Sequence, residues 1–267
     1  MSRNTELPQN CRVLVVAAGE SRRMGGSTPK PYTLLGDVPL LEWSLGFFRR
    51  HGASAVHCVI HPKHVSYYRK DRDTYGWPAP FPGGPTRQES VLAGLKTLEE
   101  DSDGLILIHD AARPFPPIEP LAGLIEAARE HGAATLGTGM SDTLHRAPES
   151  LSTGPVERRD LYAVQTPQIF REPVLRRAHE AALKQGLESG FTDDASLVQW
   201  AGNGVRIVQG SRSNIKLTFP EDRQMAESLL NASSMPETID IRVGTGFDVH
   251  AFAPRAPAEN AIRICGV

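Results

Sequence analysis

The sequence carries little net charge of either sign. Its 29 Lys and Arg residues against 31 Asp and Glu residues give a formal charge of −2 at pH 7. Binding to nucleic acid or to an anionic membrane surface needs a basic field, which this balance does not supply. We therefore expect neither a nucleic acid nor a membrane among the partners of this protein.

Long apolar runs are lacking too, and cysteine is scarce. The longest apolar run, residues 13–18, has six residues, whereas a membrane span needs about 18. The first ten residues, MSRNTELPQN, do not resemble a secretory signal, so we expect a cytoplasmic protein. The three cysteines, Cys11, Cys58 and Cys265, are odd in number and lack metal-binding spacing, which favours buried, reduced thiols.

What is present is an alternation of short apolar runs with amphipathic helical patterns. Near-continuous apolar runs predict strands covered on both faces at 12–18, 55–60, 105–108, 133–138 and 205–208. Helical patterns fall at about 40–48, 86–98, 118–131 and 220–232, and the second begins with Thr86 and Glu89 in the spacing of a capping box. The alternation predicts an α/β fold, Rossmann-like, with a mainly parallel twisted sheet and helices on both faces.

Two stretches interrupt this alternation, and the end of the sequence changes character. Residues 77–85 contain four prolines and predict a loop, whereas 150–171 predict a β-arm that projects from the sheet. Residues 233–240 have the composition of a linker, and a strand-like start follows it. We therefore expect one domain over 1–232, then the linker, then an incomplete fragment at 241–267.

A loop rich in small and basic residues follows the first predicted strand. It reads AAGESRRMGGSTPK from Ala17 to Lys30, and its backbone N–H groups and cations suit a phosphate-bearing ligand. The loop is neither a Walker A loop nor a dinucleotide G-x-G-x-x-G, and no acidic ribose ligand ends the second strand. The pattern disfavours a nicotinamide enzyme; the alternative to a phosphate site is a solvated basic loop.

An acidic side chain ends the third predicted strand. Asp110 lies in the run HDAARP, at the tip of a central parallel strand, where ligands bind in open α/β sheets. It is a candidate ligand for Mg²⁺ or a ribose hydroxyl, and Arg113 is placed to hold a second anion. The structural alternatives are a helix cap at Asp110 or Thr192 and a solvated strand edge at Lys216.

Short polar motifs occur in a fixed order from the first strand onward. They are AAGESRRM at 17–24, PK at 29–30, GG-x-x-R-x-x-S at 83–90, HDAARP at 109–114, DT at 142–143, TPQ at 166–168, TDDAS at 192–196 and NIK at 214–216. In this order they resemble the 2-C-methyl-D-erythritol 4-phosphate cytidylyltransferase family over about 11–232. RVGTGFDVH at 242–250, with ICGV at 264–267, resembles the opening of the 2-C-methyl-D-erythritol 2,4-cyclodiphosphate synthase family. Some bacteria join the two enzymes in one bifunctional chain, in this order.

The resemblance implies a nucleotide-diphospho-sugar transferase-like fold and a Mg²⁺-dependent transfer of CMP from CTP to methylerythritol phosphate, with release of pyrophosphate. It also implies a homodimer in which the arm, carrying Arg158, reaches the partner. The implied catalytic cations are Arg22, Arg23, Lys30 and Lys216. The implied CTP-site residues are Ala17, Ala18, Gly19, Gly84, Ser90, Asp110 and Ala111. The implied contacts to methylerythritol phosphate are Arg113, Thr143, Arg158, Thr166, Thr192 and Lys216.

Three departures from the family patterns qualify these expectations. Val16 replaces a usual proline before Ala-Ala-Gly, and Pro85 stands where an Asp is frequent, so one polar contact to the nucleotide is in doubt. Asp248 and His250 match the Asp-x-His pair that holds the zinc or other divalent metal of the synthase family, but no third ligand follows. Because catalytic zinc normally has three protein ligands, we expect no synthase activity from this chain.

Two other hypotheses are compatible with the residues. A related nucleotidyltransferase acting on ribitol 5-phosphate or a sugar phosphate keeps the fold and changes the substrate. A nucleotide-binding module without activity keeps the fold and loses the chemistry. The intact residues Arg22, Arg23, Lys30, Asp110 and Lys216 favour an enzyme.

Overall fold

The fold is seen in a computed structural model that describes residues 6–19 and 28–234. Backbone contacts divide the chain into two units, Met1–Ala232 and Ser233–Val267. The fragment 241–267 and most of the linker lie outside the described residues. Five residues singled out from the sequence also lie outside them, namely Arg22, Arg23, Asp248, His250 and Cys265.

Five strands follow the predicted apolar runs of the sequence, whereas the short strand at 80–82 lies in the stretch 77–85 that was expected to be a loop. In chain order they are β1 (Cys11–Ala17), β2 (Leu34–Leu35), β3 (Val38–Pro39), β4 (Ala55–Ile60), β5 (Pro80–Pro82), β6 (Leu105–Asp110), β7 (Ala133–Gly139), β8 (Leu144–Arg146), β9 (Gly154–Val156), β10 (Tyr162–Arg171) and β11 (Arg206–Gln209). All five predicted strands are confirmed, each within two residues at either end.

Seven strands form one sheet in the order β11-β7-β10-β6-β1-β4-β5. β1 pairs in parallel with β4 and β6, β4 pairs in parallel with β5, and β11 pairs in parallel with β7. β10 runs antiparallel between β6 and β7. The predicted α/β fold with a mainly parallel sheet is confirmed, and the carboxyl ends of β1, β4, β6 and β7 share one edge.

The predicted arm at 150–171 is wrong in its second half, because β10 belongs to the main sheet. The segment outside that sheet is residues 140–161, hereafter the hairpin, in which β8 pairs with β9. A backbone hydrogen bond of 3.3 Å from Met140 to Leu161 closes its base. β10 begins with exposed residues and contains Pro167, which weakens the pattern that identifies a strand.

Helices cover both faces of the sheet, as predicted. They are α1 (Leu40–Arg50), α2 (Val65–Tyr75), α3 (Arg87–Thr97), α4 (Leu121–His131), α5 (Glu172–Lys184), α6 (Asp194–Trp200) and α7 (Pro220–Ser234). One core contains side chains of α1, α2 and α4 with Val13 and Val15, and the other contains side chains of α3, α5 and α6 with Leu14 and Val16. Successive side chains of a strand point to opposite faces, so β1 supplies both cores.

The predicted capping box at the start of α3 is confirmed. The Thr86 hydroxyl accepts from the backbone N–H of Glu89 at 3.1 Å, and the Glu89 carboxylate accepts from the backbone N–H of Thr86 at 2.8 Å. Both bonds satisfy N–H groups at this end of the helix. The cap therefore fixes where α3 begins and, with it, the backbone position of Arg87, the first residue of the helix.

Two predictions about burial have different outcomes. Cys11 and Cys58 are fully buried free thiols, as predicted, and burial raises the pKa of Cys11 to about 12. β11 is not covered on both faces, since Ile207 is 39% exposed. The reason is its place at the end of the sheet, where it has a neighbour on one side only. No helix in the described part of the chain is long and apolar enough to cross a membrane.

Candidate active site

Two cavities open beside each other at the carboxyl edge of the sheet. The first measures about 340 Å³, and its lining includes Ala17, Gly19, Lys30, Ala111 and Thr218. The second measures about 350 Å³, and its lining includes Arg113, Gln165, Thr166, Gln168, Thr192 and Asp193. Three charged residues, here called the shared floor, line both cavities: Arg87, Asp110 and Lys216.

Asp110 is held between the two cations of the shared floor. Arg87 Nε lies 3.0 Å from Asp110 Oδ1, and Lys216 Nζ lies 2.7 Å from Asp110 Oδ2. Burial by itself raises the pKa of Asp110, but the charges and hydrogen bonds of Arg87 and Lys216 outweigh it and hold the pKa far below its usual range. The carboxylate is therefore ionised throughout the neutral range.

Arg87 connects the shared floor to helix α6. Its Nη1 atom lies 2.6 Å from Asp194 Oδ2, across 107 residues of sequence. Burial by itself lowers the pKa of Arg87. The charges and hydrogen bonds of Asp194 and Asp110 outweigh that effect, so the pKa is raised overall. This arginine lies within the 83–90 motif, but the sequence pattern indicated no role for it, because the capping box already explained the residues around it. Asp194, the first residue of α6, was missed as well.

The segment that carries Lys216 is a loop, so the alternative of a solvated strand edge at Lys216 is wrong. Residues 211–219 form an irregular connection, and the backbone N–H of Leu217 donates to the carbonyl of Ala112 at 2.9 Å. Lys30 reaches the same place from the other side of the first cavity, with Nζ 2.6 Å from the carbonyl oxygen of Leu217. The structure thus brings Lys30, Lys216 and Asp110 together around one cavity.

The glycine-containing turn before α3 packs against the end of β1. A Cβ atom on Gly83 would lie 2.6 Å from the Cβ of Ala18, so this position requires glycine. Ser90 is buried and donates to the carbonyl of Thr86 at 2.7 Å. Ala18, Gly84 and Ser90, which the family resemblance implies for the CTP site, are not in the described lining of the first cavity, and Pro85 is exposed between Gly84 and Ser90.

A buried polar cluster lies beneath the second cavity. The Thr166 hydroxyl accepts from the backbone N–H of Asp110 at 3.0 Å and lies 3.2 Å from His109 Nδ1. Burial lowers the pKa of His109 to about 4, so the imidazole is neutral at pH 7. Arg113 donates to the carbonyl of Asn214 at 2.7 Å, and burial lowers the pKa of this arginine. His109 and Asn214 belong to quoted motifs but were assigned no role.

The predicted contacts to the phosphate acceptor separate into two groups. Arg113, Thr166 and Thr192 line the second cavity. Thr143 and Arg158 are exposed on the hairpin and do not line either cavity, and Arg158 donates to the carbonyl of Ser141. The helix-cap alternative for Thr192 is wrong, since Asp193 accepts from the N–H of Ser196 at 3.0 Å and caps α6.

The residues at the first cavity fit a divalent cation bound together with phosphates. Within the described ranges no group of three or more His, Cys, Asp or Glu side chains is arranged to hold a metal. Asp110 supplies one ionised carboxylate at the cavity wall, and Mg²⁺ characteristically uses one or two carboxylates with substrate phosphates. A protein cage is therefore not needed.

Comparison with protein families finds one family that accounts for both the motif order and this site. The family model described as "IspD: 2-C-methyl-D-erythritol 4-phosphate cytidylyltransferase" matches residues 11–232. The chain belongs to this family. The match includes every described residue that lines the two cavities, and it confirms the resemblance inferred from the motifs.

Two relatives of the chain that carry the same name are longer proteins. The "Bifunctional enzyme IspD/IspF" of Chelativorans sp. strain BNC1 is 39% identical over 262 residues, covering 96% of this chain and 62% of that protein. The protein of the same name from Bradyrhizobium diazoefficiens is 39% identical over 264 residues, covering 97% and 63%. The chain therefore spans less than two thirds of the length of these relatives.

Solved structures of the family share the fold. The 2-C-methyl-D-erythritol 4-phosphate cytidylyltransferase from Thermus thermophilus is 35% identical, with a TM-score of 0.67 over 82% of this chain and 98% of that one. A 4-diphosphocytidyl-2C-methyl-D-erythritol synthase is 32% identical, with a TM-score of 0.71 over 84% and 100%. The predicted Rossmann-like nucleotidyltransferase fold is confirmed.

Proposed function

We propose that this protein transfers CMP from CTP to 2-C-methyl-D-erythritol 4-phosphate and releases pyrophosphate. The observation that carries the proposal is the shared floor, in which one ionised carboxylate and two cations line both cavities. A nucleotide in the first cavity and a phosphate acceptor in the second meet at these three residues. Family membership supports the same reaction.

The chemistry needs charge and alignment more than a base. A phosphate oxygen of the acceptor attacks the α-phosphorus of CTP, a new P–O bond forms, and the bond from the α-phosphorus to the bridging oxygen breaks, with pyrophosphate leaving. The acceptor phosphate is already ionised at neutral pH, so no proton has to be removed. The protein must neutralise two polyanions and hold them in line. Lys30 and Lys216 are suitably placed for this.

The proposed roles follow the two cavities. The first binds CTP, with the small residues after β1 allowing close approach of the backbone to the phosphates and Lys30 neutralising them. Arg22 and Arg23 are proposed to add charge to the same phosphates. The further residues proposed for this cavity are Ala17, Ala18, Gly19, Gly84, Ser90, Asp110 and Ala111. The acceptor is proposed to contact Arg113, Thr143, Arg158, Thr192 and Lys216, with Thr166 at its cavity wall.

We propose that Mg²⁺ is the metal of the reaction and that Asp110 is its protein ligand. When bound, the ion would draw charge from the triphosphate oxygens and so ease attack at the α-phosphorus. Asp110 is ionised and lines the nucleotide cavity, as this role requires.

We also propose a homodimer in which the hairpin of one subunit completes the acceptor site of the other. Thr143 and Arg158 are exposed and line neither described cavity of their own subunit, so a partner's site is a natural place for them. Because CTP is made in the cytoplasm, we propose a cytoplasmic location.

Pyrophosphate release tests the proposed reaction directly. The assay combines each of CTP, UTP, ATP and GTP with methylerythritol phosphate or ribitol 5-phosphate, with and without Mg²⁺. We expect release only with CTP, methylerythritol phosphate and Mg²⁺ together. Preference for ribitol 5-phosphate would support the rival transferase, and binding of CTP without release would support a module without activity.

A further inference from the structure

Three buried residues, His109, Thr166 and Asn214, form a closed ring of hydrogen bonds with the half-buried Arg113 beneath the second cavity. Thr166 Oγ1 lies 3.2 Å from His109 Nδ1, and His109 Nε2 lies 2.9 Å from the carbonyl oxygen of Arg113. Arg113 Nη1 donates to the carbonyl of Asn214 at 2.7 Å, and Asn214 Nδ2 donates to the carbonyl of Thr166 at 2.9 Å. The ring joins three segments that are far apart in sequence.

The acceptors in the ring determine where its protons lie. The Arg113 carbonyl can only accept, so His109 Nε2 carries the proton and Nδ1 is left as an acceptor. The Thr166 hydroxyl therefore donates to His109 Nδ1, and its oxygen accepts from the backbone N–H of Asp110 at 3.0 Å. The one proton of this hydroxyl is thus committed within the protein.

Burial makes the ring costly to rearrange. His109 and Asn214 are fully buried, and Thr166 is 4% exposed. The ring of Phe48 packs edge-on against His109, with centroids 5.1 Å apart. A buried donor or acceptor that loses its partner costs the full desolvation of that group, so each bond supports the others.

The ring lies next to both residues of the ion pair between Asp110 and Lys216 along the chain. Asp110 follows His109 directly and donates its N–H to Thr166. Lys216 lies two residues after Asn214, which is held at both its side-chain amide and its carbonyl. The relative position of carboxylate and ammonium group therefore depends on a ring that has no charged side chain other than Arg113.

We propose that this ring is a positioning device for the shared floor, with His109 and Asn214 as positioning residues and the proton of the Thr166 hydroxyl donated to the protein instead of the phosphate acceptor. The inference rests on the proposed function, because it assigns a purpose to the geometry of Asp110 and Lys216. It revises the role that the family resemblance implies for the Thr166 side chain.

Thr166→Val and Thr166→Ser form a matched pair, since valine keeps the shape without the hydroxyl and serine keeps the hydroxyl. We expect Thr166→Val to weaken binding of CTP with Mg²⁺, measured by calorimetry without acceptor, by about tenfold and to lower kcat, because Asp110 shifts. KM for the acceptor should stay near the wild-type value, and Thr166→Ser should restore nucleotide binding. A rise in acceptor KM alone, with nucleotide binding intact, would overturn the proposal.

A double-mutant cycle with His109→Phe tests the ring itself. Phenylalanine keeps the packing against Phe48 but removes both hydrogen bonds of the imidazole. We expect the double variant to bind CTP about as weakly as the worse single variant; additive losses would show that the residues act separately. If Thr166→Val does not fold, Thr166→Cys, with a weak donor of similar size, replaces it with the same expectations.

The same cycle measured by urea unfolding separates the two proposals. Coupling between His109 and Thr166 in unfolding free energy does not depend on any reaction. If wild-type protein released no pyrophosphate while this coupling persisted, the proposed function would fail and the ring would stand as a structural unit. If turnover occurred as proposed without coupling, the positioning role would fail.

Discussion

The shared floor and the hairpin contribute to the site in opposite ways. In the floor, Arg87, Asp110 and Lys216 are joined by contacts of 2.7–3.0 Å that draw on β6, α3 and the loop after β11. The hairpin is a separate two-stranded sheet, and its Thr143 and Arg158 are exposed. The floor is organised by one chain before any ligand arrives, whereas the hairpin has a role in the site only under the proposed dimer.

Asp110→Asn should have the largest effect, because it removes the charge between the two cations of the floor. We expect kcat to fall by about 1,000-fold, the upper range for loss of a key electrostatic group. Asp160→Asn, an exposed change on the hairpin, is the matched control and should stay within about twofold of wild type. A fall of less than about tenfold in pyrophosphate release by Asp110→Asn would place the decisive charges elsewhere.

Lys216→Met should have the next largest effect. Its ammonium group lies at the border of the two cavities, and its loss should lower kcat by about 100-fold with a smaller change in CTP affinity. Arg212→Met removes an exposed cation from the same connection and should leave steady-state kinetics unchanged. Equal losses of kcat in Lys216→Met and Arg212→Met would indicate a general effect of the protein's charge instead of a role for the Lys216 ammonium group.

The neutral state of His109 should make the fold acid-sensitive. Its pKa is lowered by burial to about 4, so the unfolded chain takes up the proton first as the pH falls below about 6.5. The stabilisation is complete above about pH 6.5 and is lost between about pH 6.5 and 4. Between about pH 6.5 and 5 we expect wild type to lose about 2 kcal/mol more than His109→Phe in urea unfolding. If wild type and His109→Phe lost the same unfolding free energy, the neutral, low-pKa state of His109 in the fold would be contradicted.

Arg158→Met should have the smallest of these effects and should leave the floor intact. We expect KM for methylerythritol phosphate to rise by about tenfold, while CTP affinity and unfolding free energy stay unchanged, because the side chain is exposed. The neighbouring Arg159→Met is the control. A weakened affinity for CTP would show that the hairpin and the floor are not independent.

Mixing two impaired variants sharpens the same comparison. In a mixed dimer of Arg158→Met and Asp110→Asn, one site has its own Asp110 and its partner's Arg158. Under the proposed dimer, re-assembly from equal amounts should recover about a quarter of wild-type activity at acceptor concentrations far below KM. Activity no greater than the Arg158→Met subunits supply on their own would mean that the hairpin serves its own subunit.

The sequence sufficed for the parts of the fold that local patterns determine. β1 and β4 were predicted because strands buried on both faces are continuous apolar runs, and the start of α3 was predicted because a capping box is contained in four residues. β10 was not predicted as a strand of the main sheet. The direction in which a strand pairs is set by the tertiary structure, and Pro167 interrupts the apolar pattern of this segment. The arm was therefore placed too late in the chain.

The candidate site was predictable where a residue ends a strand and hidden where its role comes from distant partners. Asp110 was found from its position at the end of β6. The importance of Arg87 depends on Asp194, 107 residues away, and that of His109 depends on Thr166, 57 residues away. Both residues stood inside quoted motifs, but only the fold shows which partners they meet.

The antiparallel direction of β10 has a practical consequence. Because β10 runs against β6 and β7, the chain has to reverse before entering it, and the reversal falls at the carboxyl edge, beside the cavities. The hairpin occupies that reversal, and the Met140 to Leu161 hydrogen bond joins its two ends. We expect that a hairpin of another length or sequence can be exchanged at this junction while the register of the sheet and the floor is retained. Under the proposed dimer, such an exchange would change which phosphate acceptor the site binds.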